Sequence, residues 1–406
     1  MSKSTRVAIE GIGLVAPAAT GSDQLAQLLT EGRSGIEMVE RFDTSSLRGH
    51  KAGLVTGFQA KQFIAPGKMR RMNTLSRQAV AATRMARTDA GMEENPYDAA
   101  EIGVALGTTF GPVQTSVDYL REYVEKGSSL APPQLFAESV ANAPGSHIAI
   151  EFDHRGFNLT FTQRESSALA ATMFACSQIV KGTVKAAISV GVEEINDITF
   201  SVLDKIGALS SSGTTAEESR PFDRDRNGMI VGEGAAAFVL DGAERSRGSA
   251  YGFYSGFGIA RDRTASISNW GTGADAVVRA MSDALLDAEI AIDDVDAVWA
   301  SANGSLAGDR LEAIALRQLF RTAIPPVIAT KSYFGEYAGA GALHLATAAI
   351  AMRRQWVPAS LGFERAESGL ELPVNKVGRP HPMRNILVNS LSAGGGIICA
   401  VISSQP

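Results

Sequence analysis

Apolar residues along this chain fall into short, nearly unbroken runs closed by glycine: Val7-Ala8-Ile9-Glu10-Gly11-Ile12-Gly13, Ile102-Gly103-Val104-Ala105-Leu106-Gly107 and Ala186-Ala187-Ile188-Ser189-Val190-Gly191. A strand buried on both faces reads this way, because neither face calls for polar positions and the glycines supply the turns. Between such runs the period lengthens. From Met69 to Ala90 the residues Met72, Leu75, Ala79, Ala82, Thr83, Ala86 and Ala90 recur at steps of three and four, which predicts a helix. The later part of the chain repeats the theme: a strand from Tyr251 to Ile259, a helix from Ala274 to Ala288, a strand from Val295 to Ala300 leading into Asn303-Gly304, another opening at Val327, a small-residue helix from Ala338 to Arg353, and a last strand from Asn385 to Ser390. Alternation of this kind predicts α/β layers. Its repetition predicts an internal duplication with a seam near Gly242 to Ser249, dividing the chain into residues 1–245 and 246–406.

Composition narrows the function. With 406 residues, 45% of them hydrophobic and 20% charged, the chain has enough apolar material for a large core and is far from a disordered composition. Lys and Arg total 38 against 43 Asp and Glu, a net charge of -5, so the basic excess that phosphate binding requires is missing and nucleic acid is excluded as a partner. Two cysteines, Cys176 and Cys399, each sit inside an apolar run, and the five histidines (His50, His147, His154, His344, His381) show no metal-ligand spacing. They read as surface or packing residues, and neither a metal nor a cofactor is expected. Polar residues from Met1 to Arg6 run straight into the first strand, with no hydrophobic signal region and no later span long enough for a membrane helix. A cytoplasmic protein is expected.

The motifs carry more information. Arg220-Pro221-Phe222-Asp223 is followed by Arg226-Asn227-Gly228 and Gly232-Glu233-Gly234; Ala302-Asn303-Gly304-Ser305 by Asp309 and Glu312; and Lys331-Ser332-Tyr333-Phe334-Gly335-Glu336 by Asn389-Ser390 with Gly394-Gly395-Gly396. With Gly11-Ile12-Gly13, Gly107-Thr108-Thr109 and Gly191-Val192-Glu193, these segments resemble the β-ketoacyl synthase (ketosynthase) family over almost the whole chain. The resemblance implies a thiolase-like fold, two duplicated halves packed as five alternating α/β layers, and a dimer whose interface forms part of each acyl tunnel.

Condensing enzymes of this family hold the acyl chain on a thiolate at a helix N-terminus and use two histidines to stabilise the enolate left by decarboxylation. Aligned on Gly156-Phe157-Asn158-Leu159-Thr160, the cysteine position here is Glu165, just ahead of a helix expected from Ser166 to Val180, with Cys176 a packing residue some three turns further on. Asn303 stands at the first histidine position and Glu336 at the second, while Asp309, Glu312 and Lys331 are retained around them. An ionised glutamate donates no hydrogen bond to an enolate and repels its charge. The pattern resembles a chain-length factor, which pairs with an active ketosynthase and shapes the pocket where the chain grows on phosphopantetheine-bearing acyl carrier protein. In aromatic-polyketide members the lost cysteine is commonly a glutamine, so Glu165 points toward another branch, such as partners in polyene-making type II systems.

Two readings of the carboxylates stay open at this point. Glu165 and Glu336 form an acid/base pair of a repurposed enzyme, or they serve structurally, by pairing with Lys331 or capping a helix. Asn303 reads as a hydrogen-bonding filler. By family position Thr108, Phe110, Phe136, Leu391 and Ala393 are candidates for the acyl tunnel or the interface, although the burial habits of phenylalanine favour plain core for Phe110 and Phe136. Leu391 and Ala393 replace phenylalanines of the family, the second of them a gate, so a gate is expected to be absent.

Overall fold

Ten strands share one hydrogen-bonded path: β1 (Val7–Ala16), β2 (Ile102–Gly107), β3 (Asn158–Phe161), β4 (Ala186–Glu193), β5 (Gly234–Gly242), β6 (Phe253–Arg261), β7 (Ala297–Trp299), β8 (Val327–Ile328), β9 (Asn385–Leu391) and β10 (Gly396–Ser403). The computed structural model describes residues 6–406 apart from 94, 214, 247, 268 and 322 and the side chain at 340. Residues 1–5 of the polar start, and position 247 within the expected seam, lie outside the described residues.

Across the sheet the order is β8-β7-β9-β10-β6-β1-β5-β4-β2-β3. Outward from the centre, β1-β5-β4-β2-β3 and β6-β10-β9-β7-β8 are the same path walked twice. The strand senses repeat as well. The first two pairings on each side are antiparallel and the outer two parallel. The two half-sheets join where β1 meets β6, through the antiparallel pairs Val7 with Tyr254 and Ala8 with Phe253.

Helices α1 (Thr74–Asp89), α2 (Val113–Lys126), α3 (Ser167–Val180), α4 (Ala274–Asp287), α5 (Leu306–Phe320) and α6 (Ala342–Arg354) complete the layers. α3 and α6 lie between the two half-sheets, α1 covers the outer face of the first, and α4 and α5 that of the second. Strand side chains divide between these cores with period two: Phe238 and Leu240 enter the central layer and Ala237 and Val239 the outer one, as Ile398 and Ala400 do opposite Cys399 and Val401. Burial on both faces explains the unbroken apolar runs. It also explains why α3 and α6 are apolar nearly all round, since a sandwiched helix has no wet side.

Two Gly-x-Gly pairs set the sheet-to-helix distance. A Cβ on Gly11 or Gly13 would lie 2.3 or 2.1 Å from the carbonyl oxygens of Ala86 and Ala82 in α1, and one on Gly256 or Gly258 would lie 2.5 or 1.9 Å from those of Ala284 and Ala280 in α4. The duplication therefore extends to the packing.

The periodic segment from Met69 to Ala90 is not one helix. Met69 ends a single turn, Pro66–Met69, and α1 begins only at Thr74, because the Asn73 side chain accepts from the Ser76 N–H at 2.7 Å and caps a new start.

Candidate functional site

Three separate segments bring Glu165, Asn303 and Glu336 together. Glu165 lies in the turn Arg164–Ser166 between β3 and α3, directly after Arg164, whose backbone is left-handed at φ 50°. Asn303 follows β7 and precedes α5, and Glu336 follows the short helix Lys331–Phe334 after β8. All three are buried, exposing 2% or less.

Glu336 is fully occupied. Lys331 Nζ donates to its Oε2 at 2.6 Å, Asn303 Nδ2 donates to the same oxygen at 2.7 Å, and the Tyr337 backbone N–H donates to Oε1 at 3.0 Å. Three donors around one carboxylate, one of them an ammonium, are what a buried anion needs. Asn303 thereby spends its amide on Glu336, while its Oδ1 accepts from the Ser305 N–H at 2.9 Å.

Glu165 is in a different state. Its Oε1 accepts from the Tyr337 hydroxyl at 3.0 Å, and its Oε2 has no hydrogen-bond partner. Burial first, then the charge of Glu336, pushes its pKa up to about 7, against the opposing pull of Lys331 and of the Tyr337 hydroxyl. It neither pairs with Lys331 nor caps α3, whose N-cap Ser166 makes no side-chain cap either; those two structural roles do not apply to Glu165. Tyr337, left-handed at φ 67°, joins the set by bonding both carboxylates and by taking the Phe110 ring edge-on at a 5.1 Å centroid distance.

Asp309 and Glu312 accept mainly from backbone N–H groups. Asp309 accepts from the N–H groups of Phe222 (2.8 Å), Asn303 (3.0 Å) and Gly304 (3.1 Å), tying the Arg220–Asp223 loop to the asparagine. Glu312 accepts from Ser301 N–H and Asn389 Nδ2, both at 2.9 Å, and burial pushes its pKa up to about 7. In the signature loop Arg226 bonds the carbonyls of Asp223 and Leu306 and the carboxylate of Glu367, while Arg220 Nε is buried without a partner.

No thiol reaches this set. Cys176 is buried in the central layer and Cys399 in the outer core of the second half, and burial pushes both thiols up, away from the reactive thiolate. Among the described residues no group of three metal-ligating side chains comes together, and no helix is long and apolar enough to cross a membrane.

The tunnel candidates are spread out. Thr108 is buried and holds its loop, donating to Glu193 Oε1 at 3.2 Å. Leu391 is buried beside Ser301, and Ala393 is part-exposed, its carbonyl accepting from Arg164 at 2.9 Å. Phe110 and Phe136 are not core residues: they expose 36% and 57%, Phe110 in the loop before α2 and Phe136 on the short helix Pro133–Glu138, which like α2 buries none of its side chains in this chain. None of the five lines the apolar cleft of about 720 Å³ that lies between α3 and the ends of β3, β6 and β10. Phe161, Met173, Phe174, Ile259 and Ile398 do. Their sequence signal was weak, since each sits in a run that reads as ordinary strand or helix core.

Residues 4–246 match the family model for the β-ketoacyl synthase N-terminal domain and residues 251–364 that for the C-terminal domain, so the chain belongs to the β-ketoacyl synthase family. It is similar to both ketoacyl synthase subunits of the tetracenomycin polyketide synthase of Streptomyces glaucescens. Identity is 30% to the beta subunit over 379 residues (91% of each chain) and 30% to the alpha subunit over 420 residues (99% of this chain, 97% of that one). Among solved structures it is similar to the ishigamide ketosynthase/chain length factor, at a TM-score of 0.88 and 25% identity over 99% of this chain and 100% of that one. Equal identity to the two tetracenomycin subunits leaves the site to choose between their roles.

Proposed function

We propose that this chain is the non-condensing subunit of a ketosynthase pair: a chain-length factor that docks on an active ketosynthase and shapes the tunnel in which a carrier-bound acyl chain grows. The setting is type II polyketide synthesis, polyene-making systems included, or fatty-acid-like elongation in the cytoplasm. Residues 1–245 and 246–406 serve as its two ketosynthase-like halves. One observation carries the reading. Where the family resemblance puts a condensing enzyme's thiol and two imidazoles, this chain has two carboxylates and an amide, buried with the Lys331 ammonium and the Tyr337 phenol, whose donors are spent on the carboxylates. A partner of the same fold is supported by what this chain leaves uncovered: the edge strand β3, with Leu159 44% exposed, and the apolar side chains Leu120, Val124, Leu130 and Phe136 around α2. Similarity to a beta subunit and to a ketosynthase/chain length factor agrees with it.

Co-expression with candidate ketosynthases, followed by measurement of subunit composition and of condensation on malonyl-carrier substrate, tests the proposal. A stable one-to-one heterodimer that condenses, beside a lone chain that does not, is the expected result; a soluble homodimer that binds no ketosynthase overturns it. A second reading, a homodimeric enzyme of another acyl-thioester reaction, draws on Glu165 alone: its free oxygen and a pKa near 7 suit proton transfer. Loss of turnover in Glu165→Gln of the single purified chain would establish that reading instead.

A further inference from the structure

We infer that Trp270 is a fixed plug that closes the approach to the Asn303 and Glu336 end of the site, so that an extended thioester arm cannot enter this subunit. The consequence for chain growth rests on the non-condensing reading; the closure itself does not.

The space beside Asn303 is walled by Trp270, Ser301, Ala302, Ser305, Gly308, Asp309, Glu312 and Leu391, and among them they leave no room for a water molecule. Of these walls only Trp270 and Ser305 are part-exposed, so the indole is the outer one. It packs against Gly308. A Cβ there would stand 2.9 and 3.0 Å from the indole carbons Cδ2 and Cε2 and 2.5 Å from Ser305 Oγ, so no larger residue fits at this position in the first turn of α5 while the indole is seated.

The loop carrying the indole is tied down on both sides. Asp262, buried at 2% exposure, accepts from the Thr264 N–H and hydroxyl, both at 2.8 Å, and from the Gly273 N–H at 2.7 Å. The carbonyl of Asn269 accepts from the Gly394 N–H at 2.9 Å. Beneath the indole, Glu312 Oε2 and Ser305 Oγ are buried without partners. A dry niche lined by unpartnered polar atoms would take up water or an amide once opened, since burial without a partner is costly. The indole is what keeps it closed.

The experiment places a reporter thiol behind the plug, as Asn303→Cys, and exposes it to pantethine, the disulfide of pantetheine. The introduced thiolate attacks one sulfur of pantethine, a mixed disulfide forms, and one pantetheine thiolate leaves; intact mass follows the adduct. Cys176 and Cys399 are buried and set the background. Modification should be slow with Trp270 intact and at least tenfold faster in Asn303→Cys/Trp270→Gly, with Asn303→Cys/Trp270→Val between them, circular dichroism confirming that each is folded. Rapid modification with Trp270 in place overturns the plug by itself, even if the glycine variant does not fold. Equal rates in the three folded variants also overturn it. Ketosynthase binding is read separately by subunit composition, so failure of the plug and failure of the chain-length-factor reading give different results.

Discussion

At the scale of single residues, the two glutamates of the site are chemically unlike. Glu336 faces an ammonium and two N–H donors, and Lys331 is 3% exposed, so the pair has no access to water. Removing one partner of such a pair leaves the other charge stranded, at a cost of about 3–5 kcal/mol. Glu336→Gln should therefore lower the free energy of unfolding by that amount, and the denaturant midpoint with it. Glu165→Gln should leave stability at pH 8 unchanged or raised, because it removes a carboxylate that burial disfavours and keeps an acceptor for the Tyr337 hydroxyl. Urea unfolding of both variants checks the contrast, and equal losses would show that Glu165 is ionised and paired. The flanking motifs led the sequence reading to Glu165, Asn303 and Glu336, and the structure buries all three in one place. Their mutual arrangement was not, because Tyr337, the residue bonding both carboxylates, belongs to no motif and reaches Glu165 only through a left-handed backbone.

Strands and helices were legible where a segment has one wet face or a sharp stop, and much less where it has neither. β5 and β10 are apolar on both faces, and such a run reads equally as strand or buried helix. α2 escaped notice for the opposite reason, since no face of it is buried within this chain. Contacts between elements do show in the repeated Gly-x-Gly pairs, which leads to a prediction. Gly258→Ala would set a methyl 1.9 Å from the Ala280 carbonyl oxygen, so β6 and α4 must part, and overpacking of this kind costs about 1–3 kcal/mol or more. Gly67→Ala is the control: nothing lies within 4 Å of the new Cβ, and loss of backbone freedom in the unfolded chain should stabilise by roughly 0.5 kcal/mol. Urea midpoints that move in opposite directions are expected; a neutral Gly258→Ala would mean that the layers are loosely packed.

Over the whole molecule, the doubled architecture holds many carboxylates out of water, and stability should follow their titration. Burial pushes Glu193 up to about 8, against hydrogen bonds from Thr109, Phe110 and Thr108, and pushes Glu165, Glu194 and Glu312 up to about 7. For a carboxyl with a raised folded pKa, both states are protonated below the unfolded value, and stability is lost as pH rises from there through the folded value. That window runs from about 4.5 to between 7 and 8. Two buried histidines work the other way: burial lowers His154 to about 4 and His344 to about 3, so their contribution is present above 6.5 and is lost as pH falls. Near pH 6 the folded chain thus holds about four carboxyl protons that the unfolded chain has released, while the histidines account for fewer than two in the opposite sense. The carboxyls win above pH 5, so Tm should fall by several degrees between pH 5.5 and pH 8. Scanning calorimetry at constant ionic strength checks this, and Glu165→Gln should flatten the slope by its own share. A Tm that rises over that range would mean that these glutamates are ionised in the folded protein, and with it the physical basis for treating Glu165 as a protonated, idle member of the buried set would be gone.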